Sequence, residues 1–350
     1  MNDKPNLDLL RAVAVTCVVT AHILAGMDRG QWGHFSILDI GPFGVYLFFV
    51  HTSLVLMWSL ERRPNTLDFY VRRAFRLYPL AIAAILLAAA THAPVSSISN
   101  HGQFTAYPAT LYNVVTGCLL VDGLLGHGRL LLGQTWSLSP EMFMYILLPA
   151  LFFYAKAVKK VWPLFIVWLL VVLLDRRIFP PENGSAFGVL VPDFICGVIA
   201  YVGFMRRRET LPSFVLLPLL ALLFCALEFI NIPTFRTVWF ACLALGLLLP
   251  RIRQFQSITA KRLTHAVAKY SYGIYLFHTF TIYLGVHLLA KYSIPVQLAV
   301  VILPLIPVVY LAYHFIEEPM IKLGARVAAK WAHERGLPSE KSLENLEPAP

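Results

Sequence analysis

Apolar runs of nearly twenty residues, separated by short polar and mostly basic breaks, set the pattern of this chain. Ten such runs cover about 7–26, 41–60, 77–92, 137–155, 161–178, 188–205, 211–229, 235–250, 270–289 and 295–316. A helix rises about 1.5 Å per residue and a hydrocarbon core is about 30 Å thick, so each run predicts a membrane span. Barrel strands would alternate over about ten residues, which these runs do not do. The predicted fold is therefore all-α, a polytopic bundle of about ten transmembrane helices. One apolar stretch, 108–132, is broken by Gly117, Asp122, Gly123, Gly126 and Gly128. It reads as a re-entrant or interfacial element buried in protein. After Pro319, Met320, Leu323, Val327 and Trp331 share one face while Lys322, Arg326 and Lys330 share another. That pattern predicts an amphipathic helix on the inner leaflet, followed by a disordered tail rich in Glu, Ser and Pro. The chain thus divides into a membrane domain, 1–320, and a cytoplasmic segment, 321–350.

Composition agrees and adds orientation. Of 350 residues 58% are apolar, and the mean hydropathy of +0.67 excludes an ordinary soluble protein. With the N-terminus inside, the predicted inner segments collect 23 of the 29 Lys and Arg. Both termini are then cytoplasmic by the positive-inside rule, and counting 108–132 as a span would invert every later loop. The formal charge of +10 follows this topology and implies no nucleic acid. The five cysteines are scattered without metal-ligand spacing, so they predict neither a metal site nor a disulfide framework. The first run is an uncleaved span rather than a leader, because it contains Arg11 and His22.

Those two residues are the first candidates for chemistry. Eleven helical steps return to within roughly 20° of the start, so Arg11 and His22 share a face, with His22 about 16 Å deeper. Ionisable groups at such depth face a bundle interior or a wet cavity. Asp8, three residues before Arg11, is placed to pair with it. In the first inner loop, Arg72, Arg73 and Arg76 form one helical turn of guanidinium groups beside Tyr78 and Pro79. Arginine forks match phosphate oxygens, which predicts a site for a phosphorylated donor; basic residues at an inner membrane end also serve anionic lipid. Glu141 stands in the predicted first turn of the fourth span, on the half of the membrane that His22 reaches, where the two could pair for proton transfer. Tyr272, Tyr275 and His278 with Ser271 make a polar stripe on the ninth span, lining a cavity or bonding neighbouring helices. His51, Thr52 and Ser53 fall in the middle of the second. Glu317 and Glu318 close the last span near the arginine cluster.

Taken together these pieces resemble the acyltransferase-3 family of membrane O-acyltransferases. The match consists of Asp8, Arg11 and His22, Phe48 to Val50 in the second span, Arg72 to Pro79, Trp136 to Glu141, Ser271 to His278, and Ile316 to Pro319. The resemblance implies transfer of an acyl group, acetyl in the expected case, from cytoplasmic acyl-CoA to a hydroxyl. The acceptor would be a cell-surface glycan or a lipid-linked saccharide at the outer face of a bacterial inner membrane. It makes His22, Arg11 and Glu141 catalytic, and Arg72, Arg73, Arg76 and Tyr78 contacts of coenzyme A. Asp8, His51 and Ser53 from the first two spans would bind substrate. Trp136 and Ser137 from the fourth, and Tyr275 and His278 from the ninth, complete that set. Two departures stand out. Thr52-Ser53 replaces the family's usual Ser-Gly with His51 in an aliphatic position, and Pro140 and Met142 to Met144 replace Val and Glu-Gln-Phe. A flippase of lipid-linked saccharides would need the same polar chamber, but not an arginine cluster below an aligned histidine.

Overall fold

The computed structural model describes residues 4–32, 35–122, 129–178, 187–206, 209–229 and 235–334. Gly123, Gly126, Gly128, Arg207, Arg208 and the tail after 334 lie outside the described residues. The chain is built of helices: α1 (Pro5–Gly26), α2 (Ile40–Arg62), α3 (Thr66–Thr91), α4 (Leu111–Cys118), α5 (Thr135–Val158), α6 (Val161–Ile178), α7 (Phe187–Met205), α8 (Leu216–Phe229), α9 (Phe235–Leu248), α10 (Ile258–Ile282), α11 (Ile294–Ala312) and α12 (Glu318–Glu334). Two short antiparallel strand pairs, 31–32 with 35–36 and 97–98 with 104–105, lie in connections between helices.

Among the described residues five helices are long and apolar enough to cross a membrane, and four shorter apolar ones accompany them. Leu173, Leu222, Leu303 and Phe315 are exposed on their flanks. Surface of that kind faces lipid rather than water. The core is apolar, with Leu10, Leu54, Met57, Leu80, Phe152 and Phe194 fully buried. α4 is eight residues long, about 12 Å, too short to cross, and packs on α3.

Two helices differ from their predicted extent for one reason: their first turns are polar, so a hydropathy pattern omits them. α3 begins at Thr66, capped by the Asn65 side chain, and carries Arg72, Arg73 and Arg76 into the span without a break. α10 begins at Ile258, capped by the Ser257 side chain and twelve residues before its predicted apolar run, and leads into a π-helical segment, Tyr283–Leu288. The amphipathic C-terminal helix is not a separate piece. A π-helical turn, Tyr313–Glu317, joins α11 to α12, and the helix runs on past Pro319. α12 then packs along α3 so closely that a Cβ on Gly324 would fall 2.5 Å from the Cβ of Phe75.

α1 is the axis of the site. It packs against α2 on one side and α10 on the other. Three polar ties join it to α10: Asp8 to His265, Arg11 to Ser271 and His22 to His278. Both numbers rise together, so the two helices run parallel.

Candidate active site

The α1–α10 ties give the site its order. At the basic end, Asp8 Oδ2 lies 2.9 Å from His265 Nδ1. The local pairing of Asp8 with Arg11 is therefore replaced by a partner 257 positions away, and the guanidinium is left to turn inward. There Arg11 Nε donates to Ser271 Oγ at 2.6 Å. The next residue along α10, Tyr272, donates to the Leu77 carbonyl of α3 at 2.8 Å. Tyr275 comes next; its hydroxyl meets Ser137 Oγ at 2.7 Å and the Gln134 carbonyl at 3.2 Å. At the top, Gln134 Nε2 donates to Thr279 Oγ1 at 2.7 Å, and His278 Nε2 lies 3.3 Å from His22 Nδ1. The polar stripe on α10 thus does both things its pattern allowed: it lines cavities and bonds neighbouring helices.

Two chambers flank this ladder. The first, about 780 Å³ including its open side, is lined by Arg11, Arg73, Arg76, Glu141, Tyr145 and Ser271, among others, against an apolar wall from α2. Glu141 accepts from Tyr145 and lies in the field of Arg11, Arg73 and Arg76. Arg76 Nη1 sits 2.6 Å from Glu317 Oε1, a fully buried carboxylate from the π-helical turn that joins α11 and α12. Arg73 Nε has no hydrogen-bond partner among the described residues. Buried charge of this density is stable only when paired, and three guanidinium groups share two carboxylates here. The surplus is positive.

The second chamber, about 1090 Å³, contains His22 with Ser96, Asn100, Gln134, Trp136 and Thr279. No Lys, Arg, Asp or Glu lines it among the described residues. The two chambers share Val45 and Tyr275. Tyr275, held at its hydroxyl by Ser137, is the partition between them.

Several predicted residues take other places. Glu141 does not pair with His22: it is the seventh residue of α5, in the second turn rather than the first, and its company is the arginine chamber. The α5 start is held instead by Asp122, which accepts from Thr135 and Ser139 at 2.9 Å each. Arg72 is drawn away by Asp68, with contacts of 2.9 and 3.0 Å, and lines neither chamber. Tyr78 donates to the Leu119 carbonyl at 3.2 Å, outside both chambers. Ser53 is fully buried at the α2–α7 crossing, bonded to the Phe49 and Val50 carbonyls of its own helix. Opposite it is Gly197, where a Cβ would come 1.8 Å from Ser53 Oγ. The second-span departure is thus absorbed by a glycine on α7, while His51 and Thr52 do line the arginine chamber. His278 is fully buried and lines neither chamber; it touches the site through His22. Gln134 carries a part of the site that the motifs did not single out. Gln134 adjoins the Trp136 motif, and Glu317 was placed near the arginines by its position alone.

The class of protein is thus a helical membrane protein with a cationic chamber beside a neutral chamber that contains an imidazole. A family model described as an acyltransferase domain matches residues 4–314, nearly the whole chain, and the chain belongs to that family, acyltransferase-3. It is also similar to a protein from Streptomyces mycarofaciens named acyltransferase MdmB, 27% identical over 154 residues. That alignment covers 41% of this chain and 38% of the relative, so the chain spans about two fifths of the relative's length. No solved structure matches the chain.

Proposed function

We propose that the protein transfers an acyl group, acetyl in the simplest case, from acyl-CoA to a hydroxyl of a cell-surface glycan or lipid-linked saccharide. The observation that carries this reading is the pair of chambers meeting at Tyr275, one with surplus positive charge and one with an accessible imidazole. The basic end faces the cytoplasm of a bacterial inner membrane, where acyl-CoA is made. Arg73 and Arg76 hold coenzyme A phosphate oxygens, which guanidinium forks bind in bidentate fashion. The pantetheine arm runs along the apolar α2 wall past Arg11 and brings the thioester to the partition.

The acceptor hydroxyl enters the histidine chamber. His22 Nε2 takes its proton, the oxygen attacks the thioester carbonyl, and the carbon–sulfur bond breaks. The imidazolium then returns the proton to the coenzyme A thiolate. Proton transfer by a placed side chain supplies a factor of about 10² to 10⁴. The Arg11 guanidinium balances charge that builds on the thioester oxygen. Glu141 keeps Arg11, Arg73 and Arg76 from repelling one another in the empty chamber.

The test is incorporation of label from [14C]acetyl-CoA into glycans and lipids of native membrane vesicles. Vesicles with the chain gain label, while those with His22→Ala gain at most about one hundredth as much. Equal labelling by His22→Ala would overturn the assignment. Saccharide flipping without any label incorporated would favour the transporter reading.

A further inference from the structure

His278 is the buried imidazole in the ladder that lines neither chamber, and its hydrogen bonds have only one consistent proton assignment. Its Nδ1 lies 2.8 Å from the Tyr275 carbonyl and 3.1 Å from the Ile274 carbonyl. Carbonyl oxygens only accept, so Nδ1 carries a proton and donates. The same holds for His22 Nδ1, 2.9 Å from the Val18 carbonyl. Across the 3.3 Å gap between the rings, His22 Nδ1 is therefore the donor and His278 Nε2 the acceptor. Both rings are neutral Nδ1–H tautomers. His22 is left with a bare Nε2, the form a base needs, and the hydrogen bond on one ring nitrogen decides the state of the other.

We propose that His278 is a positioning residue for this acyltransferase: its Nε2 shares the His22 Nδ1–H with the Val18 carbonyl and so fixes the ring orientation of His22. This rests on His22 acting as the base. The ring centroids are 5.0 Å apart at an interplanar angle of 57°, so the contact is edge-on through nitrogen rather than a stack. His278 itself is immobilised by its two carbonyls and by full burial in α10. The Val18 carbonyl restrains the His22 ring from its own helix, and His278 adds a second acceptor from α10, so the ring is held between two helices. When His22 becomes an imidazolium, the same acceptor holds the Nδ1 proton, as the partner of a catalytic histidine must.

The experiment uses 15N-histidine-labelled full-length protein in detergent, with the His22 signals identified by difference against His22→Gln. Acetyl transfer to endogenous acceptors in vesicles is measured beside it. The unsubstituted chain should show His22 with a pyrrole-type Nδ1 and a pyridine-type Nε2. In His278→Leu the Val18 carbonyl should keep Nδ1 pyrrole-type while its 15N shift moves with loss of the second acceptor, and the saturating transfer rate should fall about 10- to 100-fold at unchanged acetyl-CoA KM. His278→Gln, whose carbonyl oxygen still accepts, should recover to within a few-fold with the same pH profile. Retained coenzyme A binding shows that each variant is folded. An Nε2–H tautomer at His22 in the unsubstituted chain overturns the proposal. So does full transfer by His278→Leu, or a His278→Gln variant as slow as His278→Leu. If the 15N pattern is as stated but His22→Ala still transfers, the failure lies with His22 as base and not with the network.

Discussion

The two chambers are only one aromatic side chain apart, yet they are built on opposite principles. The arginine chamber concentrates charge: Arg11, Arg73 and Arg76 face Glu141, with Glu317 buried behind Arg76. The histidine chamber excludes charge, its polar lining being hydroxyls, amides and one imidazole. A polyanion such as coenzyme A gains from the first and would be unpaired in the second. A neutral hydroxyl fits the second and would compete poorly with water and carboxylates in the first. In the proposed reaction this separation would also protect the thioester, since the imidazole that could activate water lies beyond Tyr275. On that proposal the chambers divide binding from proton transfer, and substitutions in one should spare the function of the other.

The largest break in that comparison comes from the arginine side. Arg73→Ala with Arg76→Ala removes two charge-assisted contacts worth about 1.5–3 kcal/mol each, so the KM for acetyl-CoA should rise at least about 100-fold. The acceptor concentration dependence in vesicles should not change. A parallel shift in both would merge the two chambers into one site. Next in size is the frame. Gly197→Ala drives a methyl against Ser53 Oγ and the Val50 carbonyl, at 1.8 and 2.3 Å from the new Cβ. Overpacking at such a crossing costs about 1–3 kcal/mol, read as a lower melting temperature in detergent. Combining it with Ser53→Gly should recover only part of the loss, because the backbone contact remains; full recovery would place the strain on Ser53 alone.

Smaller effects sharpen the partition. Tyr275→Phe removes hydrogen bonds to Ser137 and the Gln134 carbonyl, each worth about 1 kcal/mol. Transfer should fall less than tenfold, while hydrolysis of acetyl-CoA without acceptor should rise as the wall loosens. Unchanged hydrolysis would mean that Tyr275 does not separate the chambers. The smallest effect belongs to Asp8→Ala. Its partner His265 is 70% exposed, so the pair contributes at most about 1 kcal/mol and neither KM should move twofold. A large loss would return Asp8 to the site.

Much of this was readable in the chain because apolar periodicity reports burial directly. The runs 41–60, 161–178 and 188–205 differ by at most two residues per end from α2, α6 and α7. What escaped was decided at long range. Asp8 has Arg11 as its near neighbour on the helix, but an exposed local pair is weak, and His265 arrives from α10 in better geometry. Arg72 shows the reverse, a local i, i+4 carboxylate winning over the cluster. Helical spacing aligned His22 with Arg11 correctly on one helix face. It could not show that Val45 and Tyr275 come between them, since those side chains belong to α2 and α10. The same limit hid Gly197, whose meaning exists only opposite Ser53.

Division of labour between the chambers is tested most directly by equilibrium binding of coenzyme A to three purified chains: unsubstituted, His22→Ala, and Arg73→Ala with Arg76→Ala. His22→Ala should bind as tightly as the unsubstituted chain, within about twofold, although its transfer should fall at least about 100-fold, and the double arginine variant should bind at least about 100-fold more weakly. Weak binding by His22→Ala, or undiminished binding by the arginine variant, would contradict it.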